Sequence, residues 1–207
     1  MAQYFENVNL PSKIEEIKTY FMGVEFKFKT DNGVFSKEKL DFGTRLLLEN
    51  LPIKEMSGDV LDLGCGYGVV SIILSKLTSA NFDAVDVNRR ALHLMEMNIK
   101  LNKVNNINFF ESDCYNEIDK DKKYDYIITN PPIRAGKEVV YKMLRDARLH
   151  LKDNGYLYFV MRKDHGAKTA IRDISDIYNC EILTKDKGFF VIKCFSRWQV
   201  EKNMLII

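Results

Sequence analysis

The stretch Asp59-Val60-Leu61-Asp62-Leu63-Gly64-Cys65-Gly66-Tyr67-Gly68-Val69-Val70-Ser71 sets three alternate glycines between two apolar runs. A strand must end there, the chain must turn sharply, and a helix must begin. Glycine permits the turn and lets a ligand lie against the backbone with no Cβ in the way. The pattern departs from the dinucleotide fingerprint GxGxxG, because its third glycine arrives one place early and Val69 stands where that glycine belongs. Asp62, two residues before the first glycine, would repel a pyrophosphate. It would favour a ligand that carries ammonium and sulfonium charge.

From residue 59 onward, short apolar segments (60–63, 82–87, 107–110, 124–129 and 156–161) alternate with helical stretches. Between Gly136 and Leu151, Val139, Val140, Met143, Leu144, Ala147 and Leu151 fall on one helical stripe. Such alternation predicts an α/β fold: a Rossmann-like, mostly parallel sheet of about seven strands with helices on both faces. Two late strand-like runs, 180–184 and 189–196, flank Lys185-Asp186-Lys187-Gly188 and read as an antiparallel C-terminal hairpin. Upstream, the alternating run Val24-Glu25-Phe26-Lys27-Phe28-Lys29 predicts one half-buried strand, and leucines between 40 and 48 predict a helix ending before Pro52. Residues 1–35 are thus expected to form a small cap and residues 36–207 the main domain.

Lys plus Arg total 31 against 29 acidic residues, so charge alone does not make this chain a nucleic-acid binder. Cys65, Cys114, Cys180 and Cys194 form no CxxC pair, and His93, His150 and His165 are scattered. The expectation is no disulfide framework and no metal site. No basic-then-apolar leader opens the sequence and no run approaches the roughly 18 apolar residues of a membrane span, which predicts a cytoplasmic protein with reduced thiols.

Acidic residues recur at successive strand ends. Asp86 closes the second strand beside Val87, where a carboxylate can accept two ribose hydroxyls. Asp113, followed by Cys114, closes the third and can accept from an adenine amino group. The fourth strand ends in Asn130-Pro131-Pro132-Ile133-Arg134. An Asn oxygen and a carbonyl of a rigid Pro-Pro turn supply two acceptors with no competing N–H, enough to grip both hydrogens of a planar amino group. Stabilising the positive charge that develops on such a nitrogen shifts electron density onto it.

With these motifs together, the chain resembles the class I S-adenosylmethionine-dependent methyltransferases over about residues 59–196. The resemblance implies S-adenosylmethionine as cofactor. It would lie on Asp62, Gly64, Cys65, Gly66 and Gly68, on Asp86 and Val87, and on Asp113 and Cys114, with Asn130 touching it. Asn130-Pro131-Pro132 is similar to the amino-group branch of that family and implies catalytic roles for all three. Gly33-Val34-Phe35-Ser36 and Leu40-Asp41-Phe42-Gly43-Thr44-Arg45 look like the segment that closes the cofactor pocket in the small-domain group. That group includes ribosomal small-subunit guanine-N2 enzymes. It implies a ribosomal RNA partner, or the small subunit itself, and guanine N2 as acceptor. A protein glutamine, an RNA adenine, or a non-catalytic assembly factor of the same fold stand as alternatives. Ile133 replaces the aromatic residue that many members use to stack the acceptor. Ile133, Arg134, Lys137 and Phe35 are the candidate substrate contacts, with Arg162, Lys163 and Lys168 as further phosphate candidates. Tyr67 could meet cofactor or base.

Overall fold

A computed structural model describes residues 11–34, 36–37 and 39–196. Strands β1 (Glu15–Phe21) and β2 (Val24–Thr30) form an antiparallel hairpin. Then follow α1 (Phe42–Glu49), β3 (Asp59–Leu63), α2 (Val69–Leu77), β4 (Asn81–Asp86), α3 (Arg89–Asn102) and β5 (Ile107–Glu111). The chain continues through β6 (Tyr124–Thr129), a 3-10 turn at Ile133–Ala135, α4 (Lys137–His150), β7 (Leu151–Arg162), α5 (Ala167–Asp173), β8 (Tyr178–Asp186) and β9 (Phe189–Ser196).

Seven strands make one sheet in the order β5-β4-β3-β6-β7-β9-β8. The pairs β3–β4, β4–β5, β3–β6 and β6–β7 are parallel, while β9 runs antiparallel to both β7 and β8. The last hairpin is therefore antiparallel within itself, but β9 alone opposes the direction of the other six strands. Alternate residues feed two cores, as a sheet buried on both faces requires. Val60, Ile128, Tyr158 and Val160 pack with Leu47, Leu48, Ile72, Ile73 and the hairpin's Phe26 and Phe28. Leu61, Leu63, Ile127, Leu157 and Phe159 pack with Met143, Leu144, Ala147 and Ala170 on the other face. Leu47 and Leu48 are fully buried, each contributing on the order of 2 kcal/mol.

Sequence periodicity missed β1. Its outward residues Glu16, Lys18 and Tyr20 are exposed and its buried ones include Thr19, so no clean apolar alternation marks it. The hairpin is held by an unusual edge. Asn98 and Asn102, one turn apart on α3, exchange hydrogen bonds with the backbone of β2. Lys29 N–H donates to Asn98 Oδ1 (2.6 Å) and Lys27 N–H to Asn102 Oδ1 (3.2 Å). In return, the two Nδ2 groups donate to the Lys29 (3.0 Å) and Lys27 (2.7 Å) carbonyls. Asn98 Nδ2 also donates to the carbonyl of Tyr67, inside the glycine turn (3.0 Å).

The expectation that no cysteines pair is overturned. Cys180 and Cys194 stand directly opposite on β8 and β9, 4.2 Å apart at Cα, and are joined as a disulfide. Register, not local spacing, brings them together, so the sequence carried no CxxC-like sign. Cys65 and Cys114 are free and buried. Among the described residues, no helix is long and apolar enough to cross a membrane, and no cluster of His, Cys, Asp or Glu forms a metal site.

Candidate active site

The strand order reverses between β3 and β6, where open α/β sheets bind their ligands. A cleft of about 470 Å³ opens there, at the carboxyl ends of the strands. The glycine turn forms its floor. Gly64, Gly66 and Gly68 all have positive φ (76°, 57° and 92°). Gly64 and Cys65 N–H both donate to the Val85 carbonyl (2.8 and 2.9 Å), which pins the turn to β4. A Cβ on Gly66 would meet nothing within 4 Å, whereas one on Gly68 would sit 2.9 Å from Met95 Cγ and 3.1 Å from Ile72 Cδ1. Gly66 keeps the floor bare for a ligand; Gly68 lets α2 pack on α3.

Asp62, Asp86 and Asp113 all line this cleft. Asp62 is 3% exposed. Its Oδ2 accepts from the Ser71 N–H (3.0 Å) and from the Ser71 hydroxyl, at the start of α2. Burial pushes its carboxyl up to about 6, against the pull of these bonds, with the nearby Asp86 charge adding to the rise. Asp86 is oriented by two backbone donors, Gly66 N–H on Oδ2 and Asn88 N–H on Oδ1, both at 2.8 Å. Burial raises its carboxyl as well. Burial likewise raises the Cys114 thiol to about 12 and the Cys65 thiol well above its usual range. Neither is a ready nucleophile. Asp113 and Cys114 reach the cleft from the end of β5, Cys114 with φ 56°, and Val87 from the end of β4.

Asn130, Pro131, Pro132, Ile133 and Arg134 border the same cleft. The Pro132 carbonyl is taken by Ala135 N–H (2.9 Å), which leaves the Asn130 and Pro131 carbonyls as the candidate second acceptor beside the Asn130 side chain. The Asn130 carboxamide is fixed at its nitrogen: Nδ2 donates to Thr44 Oγ1 (2.9 Å) and to Asp41 Oδ2 (3.2 Å) at the start of α1. Asp41 is also the N-cap of that helix, accepting from Thr44 N–H at 2.8 Å, as short acidic side chains commonly do.

Not every candidate from the sequence reaches the cleft. Lys137 lies at the start of α4 with Nζ 3.7 Å from Asp173 and over the Tyr141 ring, outside the cleft lining. Lys163 and Lys168 are also outside it, while Arg162 lines it. Phe35 falls outside the described residues. Tyr67 lines the cleft but is largely buried, donating its hydroxyl to the Ser36 carbonyl (3.0 Å), with its ring edge-on to Phe28. Asp41 and Thr44 lie in the segment expected by resemblance to close the pocket, though neither side chain was singled out, and Phe189 was not expected at the cleft. Phe189, at the start of β9, lines the cleft along with Ile133 and stands 5.6 Å from Phe42. Arg162 lies over Phe189 and Lys187 over Phe42, giving the mouth an aromatic and cationic rim.

The residues fit a donor of the kind the motifs imply. A bare glycine floor leaves room, and the Asp62 and Asp86 carboxylates, oriented by backbone donors, line a cleft suited to a cationic ligand with hydroxyl and amino donors.

A family model for the methyltransferase small domain matches residues 25–193. Protein YbxB of Bacillus subtilis (strain 168), itself uncharacterized, is 35% identical over 192 residues, 92% of this chain and 96% of its own length. The ribosomal RNA small subunit methyltransferase C of Psychromonas ingrahamii is 35% identical over 204 residues, 95% of this chain and 57% of that protein. Among solved structures, the T. thermophilus 16S rRNA N2 methyltransferase RsmC, in complex with AdoMet and guanosine, matches with a TM-score of 0.79 at 24% identity. The match covers 91% of this chain and 52% of that one. The chain thus spans little more than half the length of these two ribosomal RNA enzymes.

Proposed function

The chain belongs to the methyltransferase small domain family, and on that premise we propose that it methylates an exocyclic amino group, guanine N2 of ribosomal RNA. S-adenosylmethionine, when bound, supplies an electrophilic methyl on a sulfonium centre. The rest of the reading concerns what the chain's own side chains do.

Asp86, with each oxygen already oriented by one backbone N–H, keeps lone pairs for ribose hydroxyls. Asp62 lends negative charge beside the glycine turn for an ammonium group, and Asp113 accepts from the adenine amino group. Asn130 Oδ1, with a backbone carbonyl of Asn130 or Pro131, accepts the two hydrogens of the acceptor nitrogen. As the nitrogen gains positive charge these acceptors hold it more strongly than they hold the neutral group, which is the condition for speeding the step. Fixing the nitrogen in line with the methyl contributes several kcal/mol more. Ile133 and Phe189 offer apolar walls for a flipped base, and Arg134 and Arg162 offer charge to phosphates or a guanine edge.

The observation that carries the reading is the Asn130 carboxamide, tethered at its nitrogen and bordering the cleft between the glycine floor and the aromatic rim. Labelled S-adenosylmethionine incubated with small ribosomal subunits, naked ribosomal RNA and glutamine-bearing proteins tests it. Label in N2-methylguanosine is the expected result; label in a glutamine side chain or in adenine would overturn the guanine assignment. Asn130→Ala is expected to abolish transfer while donor affinity stays near the wild-type value.

A further inference from the structure

We infer that Asp41 and Thr44, at the start of α1, are positioning residues that lock the Asn130 carboxamide in one of its two flip states. The inference deepens the reading of Asn130 as the group that holds the acceptor nitrogen, and rests on it.

The network has a direction. An ionised carboxylate only accepts hydrogen bonds. Asp41 Oδ2, 3.2 Å from Thr44 Oγ1, must therefore receive the hydroxyl proton of Thr44. With its proton committed there, Thr44 Oγ1 presents a lone pair to whatever lies beyond it. What lies beyond is Asn130, at 2.9 Å from Oγ1 and 3.2 Å from Asp41 Oδ2. Two acceptors converge on one end of the amide, and that end must be NH2. The flipped state would set the amide oxygen against a carboxylate oxygen and a lone pair, losing two hydrogen bonds and leaving the buried Thr44 oxygen without its donor. Thr44 is 7% exposed, so water cannot readily take over its role. The oxygen of the planar amide is therefore turned away from α1.

A helix cap alone does not require this. Asp41 caps α1 through the Thr44 N–H at 2.8 Å, and that bond would serve the helix without Asn130. The same carboxylate spends further capacity on a side chain 89 residues away, on the strand end that borders the cleft. Without the lock an acceptor amino group would meet the amide's own NH2 in a share of molecules, a donor facing a donor.

Three variants separate positioning from folding. Asp41→Asn would leave an accepting oxygen in the place of Oδ2 and keep the direction, so Asp41→Ser is used: Ser caps as well as Asp, but its short hydroxyl both donates and accepts and removes the direction of the network. Thr44→Val keeps the shape and removes the oxygen; Thr44→Ser keeps the oxygen. The expected result is a fall in turnover on the order of 10²-fold for Asp41→Ser and Thr44→Val. Donor affinity and melting temperature should stay near wild type, and Thr44→Ser should restore turnover. Wild-type turnover in Thr44→Val would overturn the inference, as would a loss that tracks donor affinity or melting temperature. A readout free of activity is hydrogen exchange of the 15N-labelled Asn130 side-chain NH2. Protection in the wild type and Thr44→Ser, lost in Thr44→Val and Asp41→Ser, supports the lock; equal exchange in all four overturns it. A wild-type protein that methylates no nitrogen acceptor would sink the proposed function, while the exchange comparison would still decide the lock.

Discussion

Asp86 accepts the Gly66 N–H at 2.8 Å, so the acid proposed to hold the ribose also sets the shape of the floor on which the donor rests. Donor binding and loop conformation are thereby coupled, and changes in the turn can be sorted by which of the two they disturb.

The second and third glycines of the turn should separate cleanly. Gly68→Ala forces a Cβ to 2.9 Å from Met95 Cγ at φ 92°. That clash and strain together are expected to cost about 2 kcal/mol of stability. Gly66→Ala finds open space at φ 57°, and the left-handed backbone alone should cost about 1 kcal/mol. Its methyl group intrudes on the cleft, however, and donor affinity should drop well beyond the stability loss. Thermal melts and titration calorimetry on both variants check the contrast.

Acidity should act on stability and donor affinity with opposite signs. The buried Asp62 carboxyl titrates at about 6 when folded, up from 3.8. Between those values the folded chain holds more protons than the unfolded one. This group's contribution to stability is therefore greatest below 3.8 and declines as pH rises toward 6. A cationic donor favours the ionised acid, so affinity should be full above about pH 6 and weaken below it, approaching about tenfold per unit. Calorimetry across that range, with Asp62→Asn expected to flatten the profile, is the measurement.

Arg134, exposed at the rim of the cleft, is proposed to meet RNA phosphate or a guanine edge. If it meets phosphate, Arg134→Ala should lower the slope of log affinity against log salt by about 1, with little change in base preference. An unchanged slope with altered base preference would assign it to the guanine edge. Filter binding at graded salt distinguishes the two.

The Cys180–Cys194 bridge closes a loop with a sequence separation of 14. Reducing it, or replacing Cys180 with Ser, should lower stability by up to about 3 kcal/mol. Neither cysteine lines the cleft, so methyl transfer at moderate temperature should persist. Melts with and without reductant, paired with transfer assays, test both halves.

The glycine floor and the Asn-Pro-Pro turn were legible because each is carried by residues adjacent in the chain, and the acids because each closes a strand that the apolar pattern marks. The partners that orient them were not. Asp41 and Thr44 meet Asn130 from far along the chain, and although their segment resembles the one that closes the cofactor pocket in the small-domain group, nothing local shows that these side chains touch Asn130. Phe189 reads as the first residue of an ordinary strand, and only the sheet order brings it to the same cleft as Ile133. Lys137 looked like a phosphate contact from its place after the turn, yet the helix it begins directs it to Asp173 and Tyr141. Asp62 was read as a ligand group, and its second task, anchoring Ser71, depends on the strand–helix packing itself.

The carboxamide pair on α3 gives the small hairpin a neighbour on its inner margin without adding another strand. That margin is closed to strand exchange with a second chain. Asn98 also spans the Lys29 and Tyr67 carbonyls, so a displacement of the hairpin would tug on the donor floor. The hairpin lies outside the lining of the cleft, and through Asn98 it shares one anchor with the glycine turn that forms the cleft's floor.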